Sequence, residues 1–182
     1  MKPRICVSLV EPTIEQLCKA AVEAEQGGAD LVELRIDHLR ELEESKRVSE
    51  VLSSIKIPAI LTCRPLRAGG GFWGRERTRV SLLRSLCSEG FEYVDIEHDV
   101  KNLLDLVTEV RDQGVKAILS FHDFQATPKL GKLQKIAKKL DSYHPDIIKV
   151  VTYARYVEDN LTCLRVVSIP VYRERLICFA AG

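Results

Sequence analysis

Val115-Lys116-Ala117-Ile118-Leu119-Ser120-Phe121 reads as a buried strand closed by His122, and Asp146 to Val151 reads as the next one, in which Lys149 closes the run Asp146-Ile147-Ile148. Between them Pro128 stands at a helix start, where its missing N–H costs nothing, and an amphipathic pattern runs to about Tyr143. A strand, a helix and a second strand at this spacing form a right-handed βαβ unit with parallel strands. Side chains that carry chemistry in such folds stand at the strand carboxyl ends, which is where this reading puts the histidine and the lysine.

The same alternation extends in both directions. Upstream, strands are expected at 4–10, 31–36, 59–63 and 93–97, and helices at 13–26, 41–55, 76–89 and 103–113. Thr13 is the expected N-cap of the first helix, with Gln16 at the capping-box position. Downstream, a helix over 157–167 and a strand over 176–180 complete seven strands and six helices. Glu11-Pro12-Thr13 follows the first strand where a dinucleotide fold would carry a glycine-rich turn. The expected architecture is therefore a single-domain (β/α)8 TIM barrel over 1–182, lacking about the last one and a half βα units of the usual eight. An open seventh strand exposes unpaired backbone groups, and predicts a homodimer or a strand-exchanged oligomer.

The 27 basic and 26 acidic residues nearly cancel and are interspersed. That excludes a nucleic-acid footprint and a polybasic membrane patch, and leaves a small molecule as the expected ligand. Six cysteines form no CxxC and no zinc spacing, so no metal is expected; reduced thiols in a cytoplasmic protein are. Met1-Lys2-Pro3-Arg4 opens the chain without a cleavable-signal pattern.

Polar residues recur at the strand ends. Glu33, Arg35 and Asp37 alternate with Leu34 and Ile36 and share one side of the second strand. Arg64 follows the third strand, and Asp95, Glu97 and His98 close the fourth. Carboxylates and arginines on one rim suit a hydroxylated, anionic substrate, because guanidinium grips a carboxylate bidentately. His122 is expected to take its orientation from Asp95 or Glu97. Burial of Lys149 beside Arg35 or Arg64 is expected to lower its pKa; a drop of about three units would free roughly a third of the amine at pH 7 for Schiff-base chemistry.

Glu33-Leu34-Arg35-Ile36-Asp37, Thr62-Cys63-Arg64 with Gly69-Gly70, Asp95-Ile96-Glu97, Ser120-Phe121-His122-Asp123-Phe124 with Thr127-Pro128, and Lys149-Val150-Val151-Thr152 together resemble type I 3-dehydroquinate dehydratase. The resemblance implies a (β/α)8 barrel, a metal- and cofactor-free lyase of the shikimate pathway, and hence a role in aromatic amino acid biosynthesis. It implies that Lys149 forms an imine with 3-dehydroquinate while His122 acts as general acid and base. It places Ser8, Glu33, Arg35 and Arg64 among the substrate-binding positions, with Asp95 and Glu97 in support. Ala68 occupies a position where the family usually carries an acidic residue bonded to the histidine, so Asp95 alone, or Glu76 from the next helix, is expected to replace it. The residues after Gly182 in that family supply a further arginine and a lid. Two other readings stand beside this one: a non-catalytic homologue working through its open barrel edge, and a Schiff-base class I aldolase using the same lysine.

Overall fold

The computed structural model describes residues 3–172 and 174–182; Met1 and Lys2 of the opening tetrapeptide lie outside them. Seven strands, β1 (Cys6–Leu9), β2 (Leu31–Arg35), β3 (Ala59–Thr62), β4 (Tyr93–Glu97), β5 (Lys116–Asp123), β6 (Ile147–Tyr153) and β7 (Leu176–Ala181), form one sheet in chain order. Every neighbouring pair is parallel. The crossovers carry α1 (Ile14–Gln26), α2 (Val48–Ser54), α3 (Glu76–Leu86), α4 (Leu103–Asp112), α5 (Leu130–Asp141) and α6 (Val157–Val167).

Strand periodicity of two divides the packing into two sets. Val32, Leu34, Leu61, Val94, Ile96, Leu119, Ile148 and Val150 join helix residues such as Leu17, Leu83, Leu106 and Leu133 in the main core between sheet and helices. The alternate positions Leu31, Ile60, Tyr93 and Ile118, with Ile147 against them, form a second, smaller cluster on the opposite face. One step of two along each of these strands lie Glu33, Thr62, Asp95, Ser120 and Lys149, and two residues further Arg35, Arg64, Glu97, His122 and Val151. The second face is thus apolar at its base and charged above.

That face is concave. Lys149 Nζ on β6 is 3.3 Å from Glu33 Oε1 on β2, four strands away. In a flat sheet the two backbones would be about 19 Å apart, so the sheet curls round to bring them together. The ladder is also staggered. Glu33 aligns through Ile60 and Tyr93 with Lys116, whereas Lys149 aligns with Ser120, four residues further along β5. Four strands therefore accumulate a four-residue offset, the tilt that a curled parallel sheet needs.

Among the described residues no ladder joins β1 to β7, so the observed architecture is an open parallel half-barrel. At the β7 edge, Ile177 and Phe179 share the concave side with Lys149 and Val151 and are 40% and 45% exposed. Cys6 is exposed on β1, and all six cysteines are free thiols.

Three local expectations change. The segment 41–55 is not one helix: a 3-10 stretch, Leu42–Arg47, precedes α2, with the buried Ser45 hydroxyl donating to Leu42 O inside the tight turn. The strands expected over 115–121 and 146–151 both run two residues further, because β5 and β6 stay paired through Asp123↔Thr152, so His122 lies within its strand instead of closing it. Thr13 caps α1 as expected, accepting from Gln16 N, while Gln16 Oε1 accepts from the Thr13 hydroxyl instead of turning back to a backbone N–H.

Candidate active site

Alternation along the strands aims ten polar side chains into one concavity, and their contacts form two linked sets. In the deeper set, Lys149 Nζ donates to Asp95 Oδ2 at 2.8 Å and to Glu33 Oε1 at 3.3 Å. Arg64 Nη2 reaches the same two oxygens, at 2.8 Å and 3.4 Å, and its Nε donates to Glu97 Oε1 at 3.2 Å. Hydroxyl groups complete the carboxylates: Ser120 donates to Asp95 Oδ1, Thr62 to Glu33 Oε1 and Ser8 to Glu33 Oε2. Glu33, Arg64, Asp95 and Glu97 are all buried, so their charges are admissible only because each is paired.

Electrostatics here reverses the sequence expectation for the lysine. Burial alone pushes the Lys149 ammonium toward neutrality, but Asp95 and Glu33 outweigh it and Arg64, and the pKa lies above its ordinary value. Burial pushes Asp95 up, yet Lys149, Arg64 and His122 hold it far below the usual carboxylate range. Glu33 is likewise raised by burial and lowered more strongly by Lys149, Arg64 and the Ser8 hydroxyl, with a net downward shift. The amine is a held cation in this state. The sequence could not show it, because the two carboxylates come from strands two and four places away.

His122 belongs to the upper set. Its Nδ1 lies 3.1 Å from Glu97 Oε2 and 3.0 Å from Oε1, its ring packs on Phe124 at 5.8 Å between centroids, and its side chain is 1% exposed. Glu97, not Asp95, orients the imidazole; Asp95 is occupied by Lys149, Arg64 and Ser120. Glu76 does not reach in either, since Arg67 and the fully buried Arg79 hold it. A carboxylate at Nδ1 fixes the proton there and leaves Nε2 as the lone-pair nitrogen. Nε2 is buried and has no hydrogen-bond partner.

Arg35 stands apart from this network. Its Nε and Nη2 bind Asp37 at 3.0 Å and 2.7 Å, and Nη2 also meets His38 Nε2 at 3.0 Å. Asp37 further accepts from Gly71 N at 2.8 Å, tying the glycine-rich loop to the end of β2. That loop comes very close: a Cβ on Gly70 would stand 2.0 Å from Arg64 O, and one on Gly69, at φ +71°, 2.4 Å from the Phe124 ring. The Nε and Nη2 groups of both arginines are therefore engaged by protein carboxylates. Ser8, expected to bind substrate, spends its hydroxyl on Glu33. Sequence reasoning gave no role to Thr62 or Ser120, although their place in the two-residue alternation was readable.

The type I 3-dehydroquinase family model matches residues 5–182. The chain belongs to this family. Among its 3-dehydroquinate dehydratase relatives, that of Syntrophobacter fumaroxidans is 32% identical over 98% of this chain and 76% of its own length. A Dehalococcoides mccartyi enzyme of the same name is 33% identical over 99% of this chain and 76% of its own. The 3-dehydroquinate dehydratase structure from Enterococcus faecalis superposes with a TM-score of 0.90 at 26% identity, covering 99% of this chain and 80% of that one. This 3-dehydroquinase chain thus spans about three quarters of the length of the curated relatives it matches. Among the described residues no helix is long and apolar enough to cross a membrane, and no His, Cys, Asp and Glu are grouped to hold a metal ion.

Proposed function

We propose that this type I 3-dehydroquinase converts 3-dehydroquinate to 3-dehydroshikimate, the hydro-lyase step its family performs in the shikimate pathway, by imine catalysis at Lys149. The observation that carries the reading is the pairing of Lys149 with His122 on adjacent strands and one face. Ser120 is the register partner of Lys149, and His122 lies two residues above it. Strand spacing and rise put the two backbones about 8 Å apart, room for one ring carbon between amine and imidazole.

Once its ammonium proton is lost, the Lys149 amine adds to the substrate ketone and water leaves, giving an imine whose protonated form draws electrons from the neighbouring carbon. His122 Nε2, with its ring held by Glu97, removes the proton from that carbon. The resulting enamine expels the β-hydroxyl, to which His122 returns the proton as water departs. Hydrolysis then frees the enone and the amine. Asp95 and Glu33 suit the middle of this sequence: contacts that hold an ammonium also hold an iminium, the cation on which the electron sink depends.

In this reading Glu33, Arg64, Asp95 and Glu97 fix the reacting groups, and Arg35 offers the substrate its Nη1 edge at the mouth. Ser8, on the exposed first strand, steadies Glu33 beside the entering ring. The aldolase alternative shares the lysine, but the match to the type I 3-dehydroquinase family over residues 5–182 favours the dehydratase. The four-residue stagger supports a (β/α)8 arrangement, and the exposed Ile177 and Phe179 edge supports self-association of a cytoplasmic enzyme, which sedimentation over a concentration series tests.

Borohydride reduction in the presence of 3-dehydroquinate, with peptide mass mapping, tests the chemistry. The expected result is a substrate adduct on Lys149 that is absent in Lys149→Met. His122→Ala is expected to lose turnover and still trap the imine; loss of trapping there would remove the histidine from proton transfer.

A further inference from the structure

We propose that Ser120 is a positioning residue that aims the reactive amine, acting on Lys149 through Asp95. The proposal rests on Lys149 being the nucleophile and adds a residue to which no role has been assigned.

Asp95 divides its two oxygens between different tasks. Oδ2 takes both cations, Lys149 and Arg64, each at 2.8 Å. Oδ1 takes only the Ser120 hydroxyl. Ser120 is fully buried and Asp95 nearly so, which shields the pair from bulk solvent. A carboxylate whose second oxygen is fixed cannot turn about its Cβ–Cγ bond, so the direction of the Oδ2 lone pairs, and with it the resting place of Nζ, is set from β5. The arrangement recurs at the other carboxylate: Ser8 donates to Glu33 Oε2 while Lys149 uses Oε1. Each carboxylate that holds the amine is therefore fixed by a hydroxyl on the oxygen the amine does not use.

Other charged groups share the concavity and set the background against which Ser120 acts. Glu33 comes from β2, Arg64 from the end of β3, Asp95 and Glu97 from β4 and His122 from β5, with the Cys6 thiol on β1 and the apolar Ile177 and Phe179 on β7. Their number explains why a lost hydroxyl should move the amine without abolishing its environment.

Competitive acetylation of the intact protein with acetic anhydride across a pH series, read by peptide mass mapping, follows the Lys149 amine without requiring turnover. In Ser120→Ala the Oδ1 atom loses its donor, the carboxylate turns so that its two cations no longer share one oxygen, and the midpoint for Lys149 is expected to rise by about one pH unit. Ser120→Cys, close in volume and a weak donor, is expected to fall between alanine and wild type, and it decides the matter if the alanine variant does not fold. An unchanged midpoint in a folded variant with a wild-type melting temperature overturns the proposal. Failure of borohydride trapping in the wild-type protein overturns the imine reading instead, and leaves the midpoint shift standing.

Discussion

Replacing Asp95 with asparagine separates two properties of Lys149 that the site holds in opposition. The change keeps size and one acceptor but removes the charge that lies 2.8 Å from both Lys149 Nζ and Arg64 Nη2. Coulomb's law at an effective dielectric of about 20 gives a gross attraction of about 6 kcal/mol at such a distance. Glu33 remains 3.3 Å from the amine, and the cluster goes from three carboxylates against two cations to two against two. A net loss near 3 kcal/mol, the upper value for a hydrogen bond to a charged group, is therefore the appropriate size. It lowers the amine pKa by about two units and raises the free-amine fraction at pH 7 about a hundredfold. The iminium loses the same support, so kcat is expected to drop by about a hundredfold. Borohydride trapping at early times and the ultraviolet absorbance of the conjugated enone product measure the two quantities separately. Faster trapping with slower turnover is the expected pair of results. Trapping that slows in step with turnover in a folded Asp95→Asn protein would refute the claim that Asp95 holds the cation.

Glu97→Gln leaves Nδ1 an acceptor but removes the anion behind the imidazole, and is expected to reduce kcat by one to two orders of magnitude with imine trapping unchanged. Gly70→Ala sets a methyl 2.0 Å from Arg64 O, a backbone atom that cannot swing aside, and is expected to cost about 2 kcal/mol or more in urea unfolding. Arg79→Met strands Cys63 O and loosens Glu76, with an expected loss of about 2–3 kcal/mol measured the same way. Folded-state values of Asp95 and Glu33 lie below ordinary carboxylates, so their contribution is present above about pH 4 and is lost as pH falls through the depressed values. Lys149 is raised, so its share is present below about pH 10.4 and lost as pH climbs through its folded value. The thermal midpoint is expected to fall on both sides of that window, and Lys149→Met should flatten the alkaline side.

Much of the frame was legible because it rests on local rules. The helix over 157–167 and the capped start of the first helix follow from periodicity and from Thr13, and the structure forms both. The segment 41–55 was not legible, because the turn at Leu42–Arg47 depends on a buried Ser45 hydroxyl finding a backbone carbonyl, a contact that composition does not announce. The limits of β5 and β6 ran past the expected ends for a similar reason: pairing between strands, not the apolar run within either, decides where a strand stops.

The site divides along the same line. Which residues face the concavity follows from counting by twos, and this count includes every side chain in the lysine cluster. Which of them touch does not follow, because contact crosses strands at a tilt. Glu33 is in register with Ile60, yet it bonds Thr62 and Arg64, two and four residues further along, and then Lys149 beyond them. A reading that stays within one strand places the lysine in an apolar wall and lowers its pKa. The staggered sheet places it between two carboxylates and raises it. The sign of the shift is thus a property of the curled sheet and not of the segment Ile148-Lys149-Val150, and any change that alters the stagger while keeping every side chain should alter the amine as much as a mutation beside it.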